Sequence, residues 1–338
     1  MRYFVNAVSV LIATSLSTLA FCQDQRREIE GKRGKFLTLS IDTQGVAGPL
    51  RILDDAAKTL QSWETNQIEW EYYGLEQGGV AFDSTRERIY IATRNGIAAL
   101  GYDGQLLEKT NGRINAKIAV DGKGNIWGLE SADQMWFKNL LILTPDFKEQ
   151  KRIEVNARDL CFSSKDNSIW LAGENVAKVA SDGSIIAQID LPIMNVRHPI
   201  SMITPDLKWG GCALVEWSNI VGSSNCRLHR INSEATTVKT IKLGSLIPVS
   251  MAIANGDVWL SAIELDGSNP TTFLIDNEGK IIERSAVCRK SLKFDPNSDS
   301  VWSLEKDHIV RLSAKSGTIQ VVESIPRVKD GAAFLWAY

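Results

Sequence analysis

The sequence predicts an all-β protein, a β-propeller of seven four-stranded blades, with six blades as the alternative count. One strand-turn-strand unit recurs six times after residue 36 at a period of about 38 to 49 residues, the length of one propeller blade. Hairpin turns that contain Gly104, Gly183 and Gly279 follow in several units. No stretch of the repeat region keeps an apolar period of 3.6 residues, which disfavours an α/β fold.

The repeated unit consists of an apolar strand, a turn and a second apolar strand. The strand pairs are residues 80–83 with 89–91, 118–121 with 126–127, 160–162 with 169–171, a degenerate copy at 200–203 with 212–215, 250–253 with 258–260, and 292–295 with 301–303. The aromatics that recur in the second strand are predicted to fill the core between blades; they are Tyr90, Trp127, Trp170, Trp259 and Trp302. The aspartates at the first turn, Asp83, Asp121 and Asp295, are predicted to hydrogen-bond their own turns.

The two ends of the repeat region are predicted to complete one another. Residues 36–41, 50–54 and 58–60 match the second, third and fourth strands of a blade, but no first strand precedes them. Residues 330–335 resemble a first strand without the other three. Pairing of this C-terminal strand with the N-terminal blade would close the ring and remove the free sheet edges that favour aggregation.

The N-terminus is typical of an export signal. Arg2 precedes an uncharged, mostly apolar stretch at residues 8–20, which is too short to span a bilayer. Cleavage fits after Ala20 or after Cys22, so residues 1–22 are assigned to a signal peptide, 23–35 to a flexible leader and 36–338 to one propeller domain. The protein is expected in the periplasm or outside the cell, with lipid attachment at Cys22 as the alternative.

Composition narrows the set of partners. The chain has 38 Lys and Arg against 40 Asp and Glu, a formal charge of −2 that gives no field for recruiting nucleic acid or an anionic membrane. No metal or cofactor is predicted, because no segment has the ligand spacing of a calcium loop. A disulfide between Cys212 and Cys226 is disfavoured, since both residues begin strands of one antiparallel hairpin and so lie at opposite ends of it.

The motif Asp-Gly-Lys-Gly-Asn-Ile-Trp at residues 121–127 resembles the repeats of NHL-type propellers and of the wider group of gluconolactonase-like and streptogramin-lyase-like proteins. The resemblance extends from Phe36 to Tyr338 and implies the architecture, because this fold carries many unrelated activities. In that group, the lactonases hold a metal with a Glu, Asn and Asp set around the channel, and the lyases use a catalytic His. Neither set is assigned to residues of this chain.

The fold places the predicted site at the mouth of the central channel. Loops that enter first strands, and loops that join second to third strands, meet there on one face. The ionisable candidates are Glu76, Lys117, Arg158, Asp159, His198, Lys290 and Asp330. The aromatic candidates in the longest connections are Trp70, Tyr72, Tyr73, Trp136, Phe137 and Trp217, for which local packing at the rim is the alternative.

Two function classes follow from these candidates. The first is a non-catalytic binding or interaction module for a small molecule, sugar or peptide, favoured because no motif fixes a nucleophile, a base or a metal. Anionic ligands fit best, since Arg158 and Lys290 are expected at the mouth. The alternative is a small-molecule hydrolase or lyase, with His198 or Asp159 as base and the same two cations stabilising negative charge.

Overall fold

A computed structural model describes residues 36–41, 47–54, 56, 58–64, 79–93, 96–110, 117–131, 137–173, 175–191, 200–218, 225–236, 238–264, 268–296, 298–305, 308–315, 317–326 and 332–337. The signal peptide and leader predicted at residues 1–35 lie outside this range. Twenty-seven strands form six antiparallel sheets within it, five of four strands and one of seven.

The strands fall into seven successive units. Unit 1 contains β1 (Phe36–Ile41), β2 (Ala47–Leu53), β3 (Thr59–Trp63) and the C-terminal β27 (Ala332–Ala337), and unit 2 contains β4 (Val80–Asp83), β5 (Arg88–Thr93), β6 (Gly96–Gly101) and β7 (Leu106–Lys109). Units 3 and 4 share the seven-stranded sheet: β8 (Lys117–Val120), β9 (Ile126–Ser131), β10 (Phe137–Leu143), β11 (Glu149–Ser163), β12 (Ser168–Gly173), β13 (Val176–Ala180) and β14 (Ile185–Ile189).

The remaining units are separate four-stranded sheets. Unit 5 contains β15 (Ile200–Pro205), β16 (Cys212–Ser218), β17 (Asn225–Ile231) and β18 (Val238–Gly244). Unit 6 contains β19 (Leu246–Ala254), β20 (Asp257–Glu264), β21 (Thr271–Ile275) and β22 (Ile281–Ser285). Unit 7 contains β23 (Lys290–Asp295), β24 (Ser300–Glu305), β25 (His308–Lys315) and β26 (Thr318–Pro326).

The first strands of the units, with β27 serving unit 1, lie side by side in chain order. Contacts run from β4 to β8, β11, β15, β19, β23 and finally β27. These are called the inner strands, and the space they border is called the central channel. β27 pairs antiparallel with β1, with Phe334 opposite Leu39 and Ala337 opposite Phe36. Residues from the two ends of the chain therefore share one sheet.

Seven hydrophobic clusters hold consecutive units together, and the last joins unit 7 to unit 1 through Phe36, Leu53 and Trp302. The recurring aromatics are the largest fully buried side chains, and each lies in the cluster between its own unit and the next: Tyr90, Trp127, Trp170, Trp259 and Trp302. Their predicted role as core between units is confirmed. Burying one such ring removes about 150–250 Å² from water, so these positions dominate the packing energy.

The aspartates at the first turns stabilise the local backbone as predicted. Asp83 Oδ1 accepts the amides of Thr85 and Arg86, and Asp121 Oδ1 accepts those of Lys123 and Asn125. These Asx-type bonds replace the ladder bonds that the turn gives up.

The turn aspartates have a second role in holding the core tryptophans. Asp121 Oδ2 accepts the indole N–H of Trp127 at 3.0 Å, and Asp295 accepts that of Trp302 at 3.3 Å. Units 4 and 6 have Ser163 and Ala254 at this place, and there the buried indoles of Trp170 and Trp259 have no hydrogen-bond partner. An aspartate at the turn thus determines whether the indole N–H of the core tryptophan has a hydrogen-bond acceptor.

Two features depart from a simple chain of four-stranded hairpin units. β11 is a single strand of 15 residues that serves as the fourth strand of unit 3 and the inner strand of unit 4. The disfavoured disulfide is indeed absent: Cys212 lies opposite Ile231, and Cys226 lies opposite Trp217 at the other end of the hairpin. The four cysteines of the described chain are free thiols.

Candidate functional site

The inner strands have two different ends. Their C-terminal ends, the turn ends, carry the aspartates described above. Their other ends are called the leading ends and carry Lys117, Asp159 and Lys290 on β8, β11 and β23; in β11 the leading end is the bulge after Ala157, where pairing with β12 begins. Of the other predicted site residues, Glu76, His198, Asp330, Trp70, Tyr72, Tyr73 and Trp136 lie outside the described residues.

Three inner strands carry a β-bulge at the leading end. The register shifts between Ala157 and Asp159 in β11, between Pro248 and Ser250 in β19, and between Lys290 and Lys293 in β23. A bulge bends the strand and turns side chains away from the regular alternation, and it is common beside functional sites. The bulges free the leading-end side chains to point toward neighbouring units.

Asp159 binds side-chain and backbone donors from three units. Its Oδ1 lies 2.9 Å from Nζ of Lys117, on unit 3, and accepts the amide of Leu160 at 2.8 Å. Its Oδ2 accepts the amide of Ile203, on unit 5, at 3.0 Å. Lys117 and Asp159 are both almost fully buried. These donors take up most of the acceptor capacity of the carboxylate, which favours a positioning role over that of a general base.

Lys293 is the most unusual side chain at the central channel. The Lys293 side chain is half-buried, and desolvation of its amine lowers its pKa from 10.5 to about 8, with the nearby Lys117 acting in the same direction and Asp159 opposing it. Lys117 and Asp159 act on Lys293 from units 3 and 4. Within the described residues, no carboxylate or hydrogen-bond acceptor contacts this amine. A desolvated cation with no counter-charge among these residues is costly, so it marks a candidate anion site.

A cavity of about 180 Å³ opens beside Lys293. It lies between the inner strands of units 5, 6 and 7, and its walls are Thr204, Pro205, Leu207, Met251, Ala252, Ile253, Leu292, Lys293 and Phe294. Most of this wall is apolar, and an ion inside would be screened less than at an open surface. The volume suits a small ligand with few heavy atoms.

The other predicted candidates in the described chain differ in position. Arg158 sits at the β11 bulge, half-buried, and desolvation lowers its pKa. Lys290 is exposed at the start of β23. Trp217 is buried in the cluster between units 5 and 6, and Phe137 packs partly buried against the cluster between units 3 and 4. For these two aromatics, local packing is what the structure shows.

Sequence reasoning missed Lys293, although the repeat contained a signal for it. The residue that faces the core aromatic across the first hairpin is small in four units: Ala81, Ala119, Cys161 and Ala252. In unit 7 the same place, opposite Trp302, holds Lys293. In these four units the position holds alanine or cysteine, so the lysine of unit 7 is not needed for packing against the core aromatic.

A second polar network lies at the boundary of units 4 and 5. His229 Nε2 lies 3.0 Å from Oε2 of Glu216, and its Nδ1 lies 2.9 Å from Oγ1 of Thr240. Carboxylate, imidazole and hydroxyl in series resemble the relay of a hydrolase. His229 has no exposed surface and Glu216 is 3% exposed, whereas Thr240 is exposed, so only the hydroxyl end of the network reaches the surface. The bonds to His229 satisfy the buried polar groups of the network.

Two searches of the described residues were negative. No group of three or more His, Cys, Asp and Glu side chains in that part of the chain is placed to hold a metal ion. The same residues contain no helix with the length and hydropathy needed to cross a membrane.

Comparisons with known proteins show the fold. A protein of unknown function from Desulfotomaculum acetoxidans superposes with a TM-score of 0.58 at 10% identity, over 89% of this chain and 98% of that one. The WD40 domain of Neurospora crassa Pan2 superposes with a TM-score of 0.50 at 9% identity, over 80% and 86%. The chain has a β-propeller fold. No family model and no curated protein sequence matches this propeller.

The similar structures also include a gluconolactonase from Xanthomonas campestris, with a TM-score of 0.44 at 14% identity, over 81% of this propeller and 95% of that chain. At these identities the likeness concerns the fold alone, because propellers with the same architecture carry unrelated functions. The function must be argued from this chain's own side chains.

Proposed function

We propose that this protein is an exported, seven-bladed β-propeller that binds a small anionic ligand at its central channel. The seven clusters between consecutive units, and the pairing of β27 with β1, support a closed ring of seven blades in which the fused sheet provides blades 3 and 4. The apolar segment at residues 8–20 supports export to the periplasm or the exterior.

The observation that carries the proposal is the desolvated amine of Lys293. Two lysines, Lys117 and Lys293, face a single carboxylate, Asp159, which is already bound to Lys117. An anion in the adjacent cavity would provide the missing counter-charge and would gain charge-assisted hydrogen bonds in a partly desolvated space. Ligand binding is thereby favoured over catalysis, since Asp159, the one carboxylate that the described residues place near Lys293, is occupied by donors.

The cavity lies toward the turn ends, and the mouth at the leading ends, at the opposite end of the channel, is proposed to draw the ligand in. Arg158 and Lys290 lie at the leading ends of their strands, on the side where Glu76, His198 and Asp330 and the aromatic loops around Trp70 and Trp136 belong by sequence. Cations at a concave mouth raise the local concentration of anions and the rate of association. In this proposal, Arg158 and Lys290 attract the ligand and Lys293 holds it.

The test measures the melting temperature with inorganic phosphate or malonate, against chloride at equal ionic strength. Both anions should raise the melting temperature of the wild type and leave that of Lys293→Met unchanged, with Arg158→Met/Lys290→Met giving a smaller rise than wild type. Lys280→Met, at an exposed turn of unit 6, is the matched control and should respond as wild type does. A wild type that ignores both anions, or a Lys293→Met variant that responds fully, contradicts the proposal.

The pH dependence sharpens the test. The Lys293 amine loses its charge as the pH rises through about 8, so anion affinity should fall at least about tenfold between pH 7 and pH 9.5. Titration calorimetry at constant ionic strength measures this fall. A constant affinity over this range removes Lys293 from the binding site and leaves Arg158 and Lys290 as the candidates.

A further inference from the structure

A cavity of about 830 Å³ lies between units 5 and 6, away from the central channel. At one end of this boundary the units are in tight contact, because the turn at Gly279 on unit 6 packs against the side chain of Ile241 on unit 5. At the other end the strands diverge, and Gly244 at the end of β18 has no neighbour within 4 Å of where its side chain would begin. The wedge cavity is the space left by this divergence.

The wall of the wedge cavity carries an exposed arginine that is stacked on an aromatic ring. The guanidinium of Arg284 lies 5.5 Å from the ring centre of Phe273, directly opposite it on the neighbouring strand. Phe273 is only 5% exposed and belongs to the core between the two units, so it is a fixed platform. Stacking restricts the guanidinium plane while leaving its N–H groups available, which lowers the entropy lost on binding a carboxylate.

A second cation, Lys242, lines the same cavity from unit 5. In the described part of the chain, neither Lys242 nor Arg284 has an ion-pair or hydrogen-bond partner. Arg311 also lies over an aromatic ring, that of Trp302, but its guanidinium is paired with Glu323 at 2.9 Å. Among the described lining residues, two cations stand against one carboxylate, Glu264, so the net charge of this concave space is positive and is complementary to an anion.

The rest of the lining defines the body of the ligand. Leu243, Leu246 and Ile281 provide an apolar wall, and Glu264, Asn269 and Thr271 line the cavity with acceptors and donors. The one carboxylate, Glu264, accepts only a long bond of 3.4 Å from Ser268. A ligand that carries its own hydrogen-bond donors would satisfy Glu264 while its acidic group binds Arg284 and Lys242. The volume lies in the range of small-molecule sites.

We propose that the wedge cavity is a second binding site, for an organic carboxylate whose body carries hydroxyl or ammonium donors. Sugar acids and zwitterionic amino acids share this chemistry. The site is independent of the central channel, since its cations and its apolar wall come from units 5 and 6 alone.

The experiment titrates glucuronate, leucine and the uncharged sugar glucose into the wild type, with ligand-observed NMR to measure affinity. At least one carboxylate should bind and glucose should bind at least about tenfold more weakly, the loss expected for a charge-assisted bidentate contact. Binding by glucuronate alone identifies a sugar-acid site, and binding by leucine alone identifies an amino-acid site. If neither binds at millimolar concentration, or if glucose binds equally well, the proposal is overturned.

Matched variants locate the site. Arg284→Gln should weaken the bound carboxylate at least about tenfold while its melting temperature stays near that of wild type. Arg311→Gln removes a stacked arginine from another boundary and should leave affinity unchanged. Lys293→Met should also leave it unchanged, which separates this site from the channel site. If Arg284→Gln binds as wild type does, or if Lys293→Met abolishes binding, the wedge cavity is not the site.

Discussion

The two ends of the inner strands differ in how they use polar side chains. At the turn ends the same residue recurs, as in Asp83 and Asp121, and it bonds backbone of its own turn. At the leading ends the residues differ from unit to unit, as in Lys117 and Asp159, and they interact between units. The recurring side chains stabilise the turn of their own unit, and the variable side chains connect different units.

Unit 5 shows that the turn end keeps its role even where the repeat is degenerate. Asp206 Oδ1 accepts the amides of Lys208 and Trp209, and its Oδ2 accepts a bond from Arg230 at 2.9 Å. Arg230 in turn donates to backbone carbonyls of Gly256 and Asp276 on unit 6. The same aspartate position thus organises its turn and, through one arginine, the contact with the next unit.

The largest expected effect is at the leading end, where Asp159→Ala leaves the buried Lys117 without a counter-charge. Breaking one side of a buried ion pair typically costs about 3–5 kcal/mol of unfolding free energy. Urea denaturation should show a loss of that size. The double variant Lys117→Met/Asp159→Leu should recover only part of it, because it removes both buried charges but leaves the amides of Leu160 and Ile203 without an acceptor. A single variant that loses less than about 1 kcal/mol would mean that Lys117 finds another partner or water.

The turn end should respond less strongly. Asp121→Ala removes the acceptor for two backbone amides and for the indole of Trp127, and we expect a loss of about 2–3 kcal/mol in the same denaturation experiment. Asp103→Ala, which removes one bond at an exposed hairpin turn, is the control and should cost about 0.5 kcal/mol or less. Equal losses for the two aspartates would show that the indole bond adds nothing.

The smallest expected effect is a gain of stability at the channel. Lys293→Met removes a desolvated charge and should raise the unfolding free energy by about 1 kcal/mol at pH 7. The folded chain binds this proton less tightly than the unfolded chain, so wild-type stability rises between pH 8 and the ordinary lysine value of 10.5. The advantage of Lys293→Met should therefore disappear near pH 10.5. An advantage that persists there would come from packing by Met rather than from the lost charge.

The sequence predicts the strands well because their local signals agree. The strand expected at residues 80–83 is β4, and that expected at 292–295 lies within β23, since apolar alternation and a turn residue bound both. The long β11 was not predicted, because its first half alternates charged and apolar residues without a turn residue before residue 163. Local patterns define individual strands, but they do not show where one strand belongs to two consecutive units.

The site was predicted less completely than the fold. Strand order alone predicts Arg158, Asp159 and Lys290 at the channel mouth. In the structure, Arg158 and Asp159 lie at the bulge within β11 and Lys290 begins β23, and their role in binding stays a prediction. The importance of Lys293 depends on distances to Lys117 and Asp159, which arise only when units 3, 4 and 7 surround one channel. The wedge cavity depends on how far β18 and β19 diverge, a tertiary property with no periodic signal. The sequence predicts where a residue lies along its strand, but the environment of Lys293 depends on distances to residues of other units.

The continuity of β11 also has a mechanical consequence. From Glu149 at the outer edge of unit 3 to Asp159 beside the channel, the strand extends for roughly 33 Å at about 3.3 Å per residue. Ala157 pairs on both sides, with Phe137 and with Gly173, so no slack loop separates the two halves. A force applied at Glu149, for example by a bound protein, would be transmitted along the continuous strand to Asp159, the carboxylate that binds Lys117. The other units are separate sheets, so a displacement of one strand would not be passed directly to the next unit.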